Sequence, residues 1–414
     1  MTTDRIEKNL IRATYRITTP MFCGGAEQQA EFRLPSFKGI LRFWWRALEW
    51  GRMRNLEQLH REESELFGSS NGGQAKFLMR LSQSPVAIAI GKKTQLKDGG
   101  VVVGEGARYL GYGVMEAYAS HKKGTKDAEL TRQCLAAPDC FELTLRFGSG
   151  STGTQQQQVI AALKLVGMLG GIGGKSRKGY GSLTLTTLTA NESPLWAVPD
   201  TFDEFRNSLR PLISKLRTEN LNAELPSPHS SPLTAFTSGF RIVAIEGRTA
   251  ESALRLLDRI GCEMVRYRSW GREGKVLRTI DSEKNFQPDH DLMKQDSRQR
   301  ITHPRRVAFG LPHNYGPKSQ DHVEPVAEKL DRRASPLFIH IHQPEGSPPI
   351  GVLIFLPGMF LPQGRDAISV GGKPVDLVTN DLWKPVTGFL DRLLDRSTRK
   401  EFSVSDRIEE VARG

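Results

Sequence analysis

Gly170-Gly171-Ile172-Gly173-Gly174-Lys175-Ser176-Arg177-Lys178-Gly179-Tyr180-Gly181 is the stretch from which the rest of the chain is read. A helical pattern, Gln155 to Leu169, leads into it, and an alternating strand with Leu183, Leu185 and Thr187 follows it. The stretch is therefore a glycine-rich loop between a helix and a strand. Six glycines in twelve residues allow positive φ and close approach to something bulky. Three cations, Lys175, Arg177 and Lys178, sit at the crest and make a polyanion the natural partner. A mononucleotide P-loop is disfavoured, because Gly-Lys-Ser/Thr is missing and the loop follows a helix where a phosphate cradle follows a strand. Two readings remain: a loop that grips a polyanion, or a helix C-cap with a turn that happens to be basic.

Working outward, residues Arg12 to Thr18 alternate around Ala13, Tyr15 and Ile17 with the period of a half-buried strand. Pro35-Ser36-Phe37-Lys38-Gly39 opens a helix that runs to about Trp50, with Ser36 as the expected N-cap. Its apolar face (Phe37, Ile40, Leu41, Trp44, Ala47, Leu48) is broad, and Lys38, Arg42 and Arg46 fall on one narrow stripe with Glu49 beside it. The stripe is either a solvated strip with an Arg46–Glu49 contact or a seat for a bound anion. A helix at Leu56 to Phe67 follows, then strands at Ala75 to Leu81, continuing towards Ile90, and at Phe141 to Phe147. Between those strands lies a long insertion, Gly99 to Thr131, of the length that is either functional or mobile. The order β-α-β-β-α-β is that of the ferredoxin-like fold.

A Pro/Ser cluster at Pro226 to Pro232 marks a boundary. Beyond it the pattern predicts strands at Phe240 to Ile245, Val307 to Leu311, Leu337 to Ile341 and Val352 to Leu356. Helices are expected at Ala250 to Ile260 and from Trp383 to Leu393. The expectation is an α+β protein of two ferredoxin-like (RRM-like) domains in tandem with insertions, residues 1–225 and 233–414. The most basic segment lies in the second half: Arg266, Arg268, Arg272, Lys275 and Arg278, then Arg298, Arg300, His303, Arg305 and Arg306. Tyr267 and Trp270 interleave with these arginines, a mixture that stacks bases while holding phosphates, although Glu263, Glu273 and Asp281 are placed to pair some of them.

At 414 residues the chain buries a sizeable core, and 58 Lys and Arg against 46 Asp and Glu give it a net charge of +12, which favours an anionic partner. Four dispersed cysteines without metal spacing and an N-terminus without an apolar signal region point to a reducing cytoplasm. The longest apolar run, Ile350 to Leu361, is too short for a bilayer. No histidine stands at motif spacing from a nucleophile. Asp281, Asp289, Asp291 and Asp296 read as solvated loop acids before they read as a metal cluster. A metal-free ribonuclease needs only one placed histidine, with His60 or His121 as the candidate base.

The spacing Gly171-x-Gly173, five residues, Gly179-x-Gly181 resembles the signature of RAMP proteins, the RNA-binding subunits of CRISPR systems. Thr19 to Ala26, the Phe43-Trp44-Trp45-Arg46 helix, Glu65-Leu66-Phe67-Gly68, Tyr109-Leu110-Gly111-Tyr112-Gly113, Phe309 to Pro312 and Arg332 to Leu337 are similar to the subunit-one family of the type III-B Cmr effector. The resemblance implies a non-catalytic, cofactor-free subunit of an antiviral ribonucleoprotein. Its partners would be guide RNA (crRNA) near the 3′ region, target RNA and other Cmr RAMP subunits, with no membrane. Lys38, Arg42, Arg46, Lys175, Arg177 and Lys178 become candidate phosphate ligands. Arg266, Arg268, Trp270 and Arg272 stand as candidates on charge and aromatics alone.

Overall fold

The structure, a computed structural model, describes residues 9–25, 29–86, 89–218, 224–270, 275–276, 279–316, 318–326, 330–362 and 367–414. It is a mixed α/β protein in which every sheet is antiparallel. In the first half, β1 (Leu10–Ile17), α1 (Leu34–Met53), α2 (Leu56–Phe67), β2 (Phe77–Gln83), α3 (Glu105–Leu110), β3 (Asp139–Phe147), α4 (Gly153–Leu169), β4 (Leu183–Ala190), β5 (Ser193–Ala197) and α5 (Phe202–Thr218) follow one another. Their sheet has the order β2-β3-β1-β4-β5. The alternation read in the sequence is the burial pattern of β1 and β3: Ala13, Tyr15, Phe141 and Leu143 point at α1 and α4, while Arg12 and Arg146 face outward.

The second half repeats the plan with β6 (Arg241–Glu246), α6 (Ala253–Arg268), β7 (Leu337–His342), β8 (Ile350–Phe355), α7 (Lys384–Leu394) and β9 (Ile408–Arg413), in sheet order β7-β8-β6-β9. Here β7 and β8 are buried at every position, His340 and His342 of β7 included, because helices cover both faces of the sheet. Ile242 and Ala244 join the core shared with α1, α4 and α5, whereas Val243 and Ile245 join the core under α6 and α7. The layers are thus sheet, helices, sheet, helices. An insertion before β7 carries a helix, Gln287–Lys294, and a short strand, His322–Pro325, that pairs with Ala367–Val370, which in turn pairs with Lys373–Asp376.

Several local expectations are corrected. Helix α1 starts at Leu34, with Arg33 as N-cap and no side-chain cap, because Pro35 in its first turn supplies fixed φ and needs no acceptor. Ser36 is therefore inside the helix. Helix α4 starts at Gly153, where Thr152 Oγ1 accepts from Gln155 N and Gln155 Oε1 accepts from Thr152 N, a reciprocal capping box. Strand β2 ends at Gln83, and Ala89–Ile90 pairs with Cys134–Leu135 instead of prolonging it. Residues Arg305–Phe309 form a 3-10 turn where a strand was expected, since buried Asp289 accepts the backbone N–H groups of Arg305 and Arg306 and tightens the chain.

The insertion Gly99 to Thr131 seats α3 against α6. Backbone meets backbone there: a Cβ on Gly106 would stand 2.0 Å from Asp258 O. Asp258 in turn accepts from Ala107 N. At the far end of α6, Glu263 is fully buried, pairs with Arg392 at 2.6 Å and accepts from Lys400 N, so the charge is compensated where it is buried.

Candidate nucleic-acid interface

The glycine loop is held from both sides. Gly174 N donates to Phe22 O, Gly181 N to Pro20 O, and Ile339 N, on edge strand β7, donates to Arg177 O. Tyr180 is fully buried, with its hydroxyl donating to Ala107 O. Gly179 lies against Leu257 and Ile339, and at Gly181 φ is +64° with the position of a Cβ only 2.1 Å from Ile172 O. The glycines are thus required first by packing of chain on chain. This joins the two readings of the sequence, because the same loop presents its free flank to a groove.

That groove encloses about 310 Å³. Its walls come from the first turns of α1 (Ser36, Gly39, Ile40, Phe43, Trp44), from Gly170, Gly171, Ile172 and Gly173 of the loop with Ser176 and Arg177, and from Phe338 of β7; among the described residues no carboxylate lines it. Residues more than 130 positions apart in sequence are brought together, and the two motifs singled out by sequence share one surface. Phe338 was not singled out; only its place in an apolar strand next to Pro336-Leu337 marked it.

The cations differ in how much of their charge is free. Lys38, in the same helical turn as Ser36 and Gly39, has no acidic partner among the described residues, and burial together with Arg42 lowers its amine pKa. Lys175, at φ +63°, is likewise without an acidic partner, and its pKa is lowered by burial and by Arg132. Arg42 Nε and Arg46 Nη1 both reach Glu63 Oε1, at 2.6 and 2.7 Å, while Glu49 pairs with Arg52; the expected Arg46–Glu49 contact is replaced because α2 brings a buried carboxylate across α1. One carboxylate serves two guanidiniums, which leaves the stripe net positive. Glu63→Gln is expected to lower stability by about 2 kcal/mol, less than for a fully buried pair because both arginines are about a third exposed. Chemical denaturation of the two proteins checks this.

Arg177 donates from Nη1 to Ser335 O at 2.7 Å and lies over Phe338, 4.4 Å from the ring centre; burial and Arg333 bring its pKa down to about 10. The amine of Lys178 is buried without an acceptor among the described residues. Burial, then Arg268, Lys175 and Arg177, push it down to about 7. Arg266 pairs with Glu401 at 2.8 Å. Arg268 donates to Tyr109 Oη and lies over Phe309, while Trp270 packs tilted against His290, 4.9 Å between ring centres. Tyr267 packs inward on Phe286 and Phe389. Arg272 and Arg278 lie outside the described residues, and Arg300 is buried with its guanidinium on the carbonyls of Met293, Gln295 and Gln320.

His60 and His121 are exposed, on α2 and in the insertion. Asp291 pairs with Lys294 and Asp296 with Arg298; among the described residues no three His, Cys, Asp or Glu side chains are placed to hold a metal. No helix of the described residues is long and apolar enough to cross a membrane.

Residues 14–184, which contain both motifs of the groove, match the sequence model of the RAMP superfamily. A curated relative, CRISPR system Cmr subunit Cmr1-2 of Pyrococcus furiosus, is 27% identical over 177 residues, 41% of this chain and 91% of the relative. The crystal structure of Cmr1 from Pyrococcus furiosus in its apo form overlays with a TM-score of 0.52 at 17% identity, covering 98% of this chain and 99% of that one. The fold likeness therefore continues past residue 184 into the second half. A chain in a cryo-EM structure of a type III-B Cmr-beta complex bound to cognate target RNA gives a TM-score of 0.47 at 12% identity over 92% of this chain.

Proposed function

We propose that this chain is the subunit-one RAMP component of a type III-B Cmr effector, a non-catalytic subunit that holds single-stranded RNA. The observation that carries the reading is the groove: helix α1 and the glycine loop meet on one surface that no carboxylate of the described residues lines, and Lys38 and Lys175, next in sequence to the lining residues Gly39 and Ser176, have no acidic partner among the described residues. The name of the curated relative and the full-length fold likeness support the same assignment. The subunit is built from two tandem ferredoxin-like units, residues 1–225 and 233–414. The strand orders β2-β3-β1-β4 and β7-β8-β6-β9, each with helices after its first and third strands, support this division. The ligand is the 3′ region of the guide, the target RNA, or both, held among other Cmr subunits. Backbone phosphates meet Lys38 and Lys175, with the half-neutralised Arg42 and Arg46 behind them. Sequence reading is left to base pairing between guide and target.

Each phosphate contact on a single strand contributes about 0.7 to the slope of log affinity against log salt. Replacing Lys38 and Lys175 together by alanine is expected to reduce that slope by about 1.4, measured by fluorescence anisotropy on a labelled single-stranded RNA. An unchanged slope contradicts the assignment of these two lysines.

A further inference from the structure

The walls of the groove have a composition that a phosphate does not suit. Ile40, Phe43, Ile172 and Phe338 are apolar, and the one charged residue of the lining, Arg177, lies flat over Phe338 with Nη1 already donated to Ser335 O. A phosphate moved among these side chains would give up water for a single, partly used guanidinium. A flat aromatic ring with a polar edge matches them better, since its faces meet apolar walls and its rim meets isolated donors. One such donor is strongly placed. Trp44 is fully buried and lines the groove, and its indole N–H has no acceptor among the described residues. It sits against Gly170, another lining residue, 2.9 Å from where a Cβ on that glycine would stand. A buried N–H without an acceptor is unfavourable, and a ligand carbonyl relieves it. The hydroxyls of Ser36 and Ser176 complete the polar rim.

We propose that this groove is a nucleobase pocket, which takes one base turned out of a single strand and prefers a base with a carbonyl, uracil or guanine, over adenine. This rests on the RNA-holding function proposed above, and adds to it a contact with a base where that function invokes only phosphates. About 310 Å³ holds one base, not a run of strand. Bases on splayed single strands are recognised in this way, by stacking on aromatic or guanidinium planes with hydrogen bonds to an edge.

Gly39 provides the test. It lines the groove, and a Cβ added there meets nothing within 4 Å, so Gly39→Leu fills the space while α1 loses a helix-weakening glycine. Two probes are used on the full chain. Saturation-transfer NMR with free uridine and adenosine is expected to show contact for uridine in the wild type, weaker contact for adenosine, and neither in Gly39→Leu. Anisotropy with oligouridine against a fully abasic strand of equal length is expected to give at least tenfold tighter binding of oligouridine by the wild type, with similar salt slopes. Gly39→Leu should bring oligouridine down towards the abasic strand. No uridine contact, or equal affinities for the two strands, overturns the pocket. Uridine contact that Gly39→Leu abolishes, with no binding of either strand, keeps the pocket and overturns the RNA-holding function. Should Gly39→Leu fail to fold, Gly39→Ala with uridine, expected to weaken contact without a loss of melting temperature, carries the test.

Discussion

Gly181→Ala is expected to lower the unfolding free energy by roughly 2 to 5 kcal/mol. Holding alanine in the left-handed region costs about 1 to 2 kcal/mol, and the native φ here is +64°. The new Cβ would stand 2.1 Å from Ile172 O, a backbone atom that itself belongs to the loop. Overpacking of a tight site adds about 1 to 3 kcal/mol. Relief by local movement is restricted, because Gly181 N donates to Pro20 O and Gly181 O accepts from Ile172 N, so shifting the residue breaks both ends of the loop. Urea denaturation of wild type and variant measures the difference. Gly39→Ala serves as a control, and its melting midpoint should not fall. A Gly181→Ala protein of wild-type stability would mean that the glycine spacing serves ligand approach alone and not packing.

The second large effect is on pH dependence. His340 and His342 lie on edge strand β7 where it meets the first half, and both are fully buried. His340 Nδ1–H donates to Gly170 O at 2.8 Å, and His342 Nε2–H to Pro199 O at 3.1 Å. Burial, with His342 nearby, pushes His340 down to about 3, and burial pushes His342 down to about 4. These folded values lie below the ordinary histidine value near 6.5, so the unfolded chain binds the extra protons. Stability is intact above about pH 6.5 and is lost as the pH falls towards the folded values. At pH 5 each histidine costs about 2 kcal/mol, and the pair about 4 kcal/mol relative to pH 7.5. Denaturant titrations at pH 7.5 and 5.0 should show this loss, and the variant with His340→Gln and His342→Gln should show a loss smaller by about that amount. Equal pH dependence in the two proteins would contradict the buried, neutral assignment.

Both predictions concern contacts that local sequence pattern does not display. The alternation of Ala13, Tyr15 and Ile17 and of Phe141, Leu143 and Leu145 was legible because one face of that sheet is covered and the other open. The strands read at Leu337 to Ile341 and Val352 to Leu356 are found at Leu337–His342 and Ile350–Phe355. That they are sandwiched between two helical layers, with Ile242 and Val243 in different cores, depends on pairings far apart in the chain. Val307 to Leu311 misled because a short apolar run is equally compatible with a strand and a buried turn, and the deciding contact, Asp289 to two backbone N–H groups, comes from another segment. The basic stripe on α1 was read in full, but the carboxylate that divides itself between Arg42 and Arg46 lies 17 to 21 residues on, across a helix–helix contact. The two motifs bordering the groove were each visible; their meeting on one surface, and Phe338 as its third wall, were not.

The proposed function is to hold single-stranded RNA without cutting it. Purified protein mixed with labelled single-stranded RNA in EDTA, over a salt series, with retardation and fragment length scored in the same samples, tests it directly. Salt-sensitive retardation of RNA that stays intact is the expected result. Fragments that vanish on replacing His60 or His121 would contradict it and establish a metal-independent ribonuclease, and the absence of any retardation at low salt would leave a subunit whose basic surfaces meet protein alone.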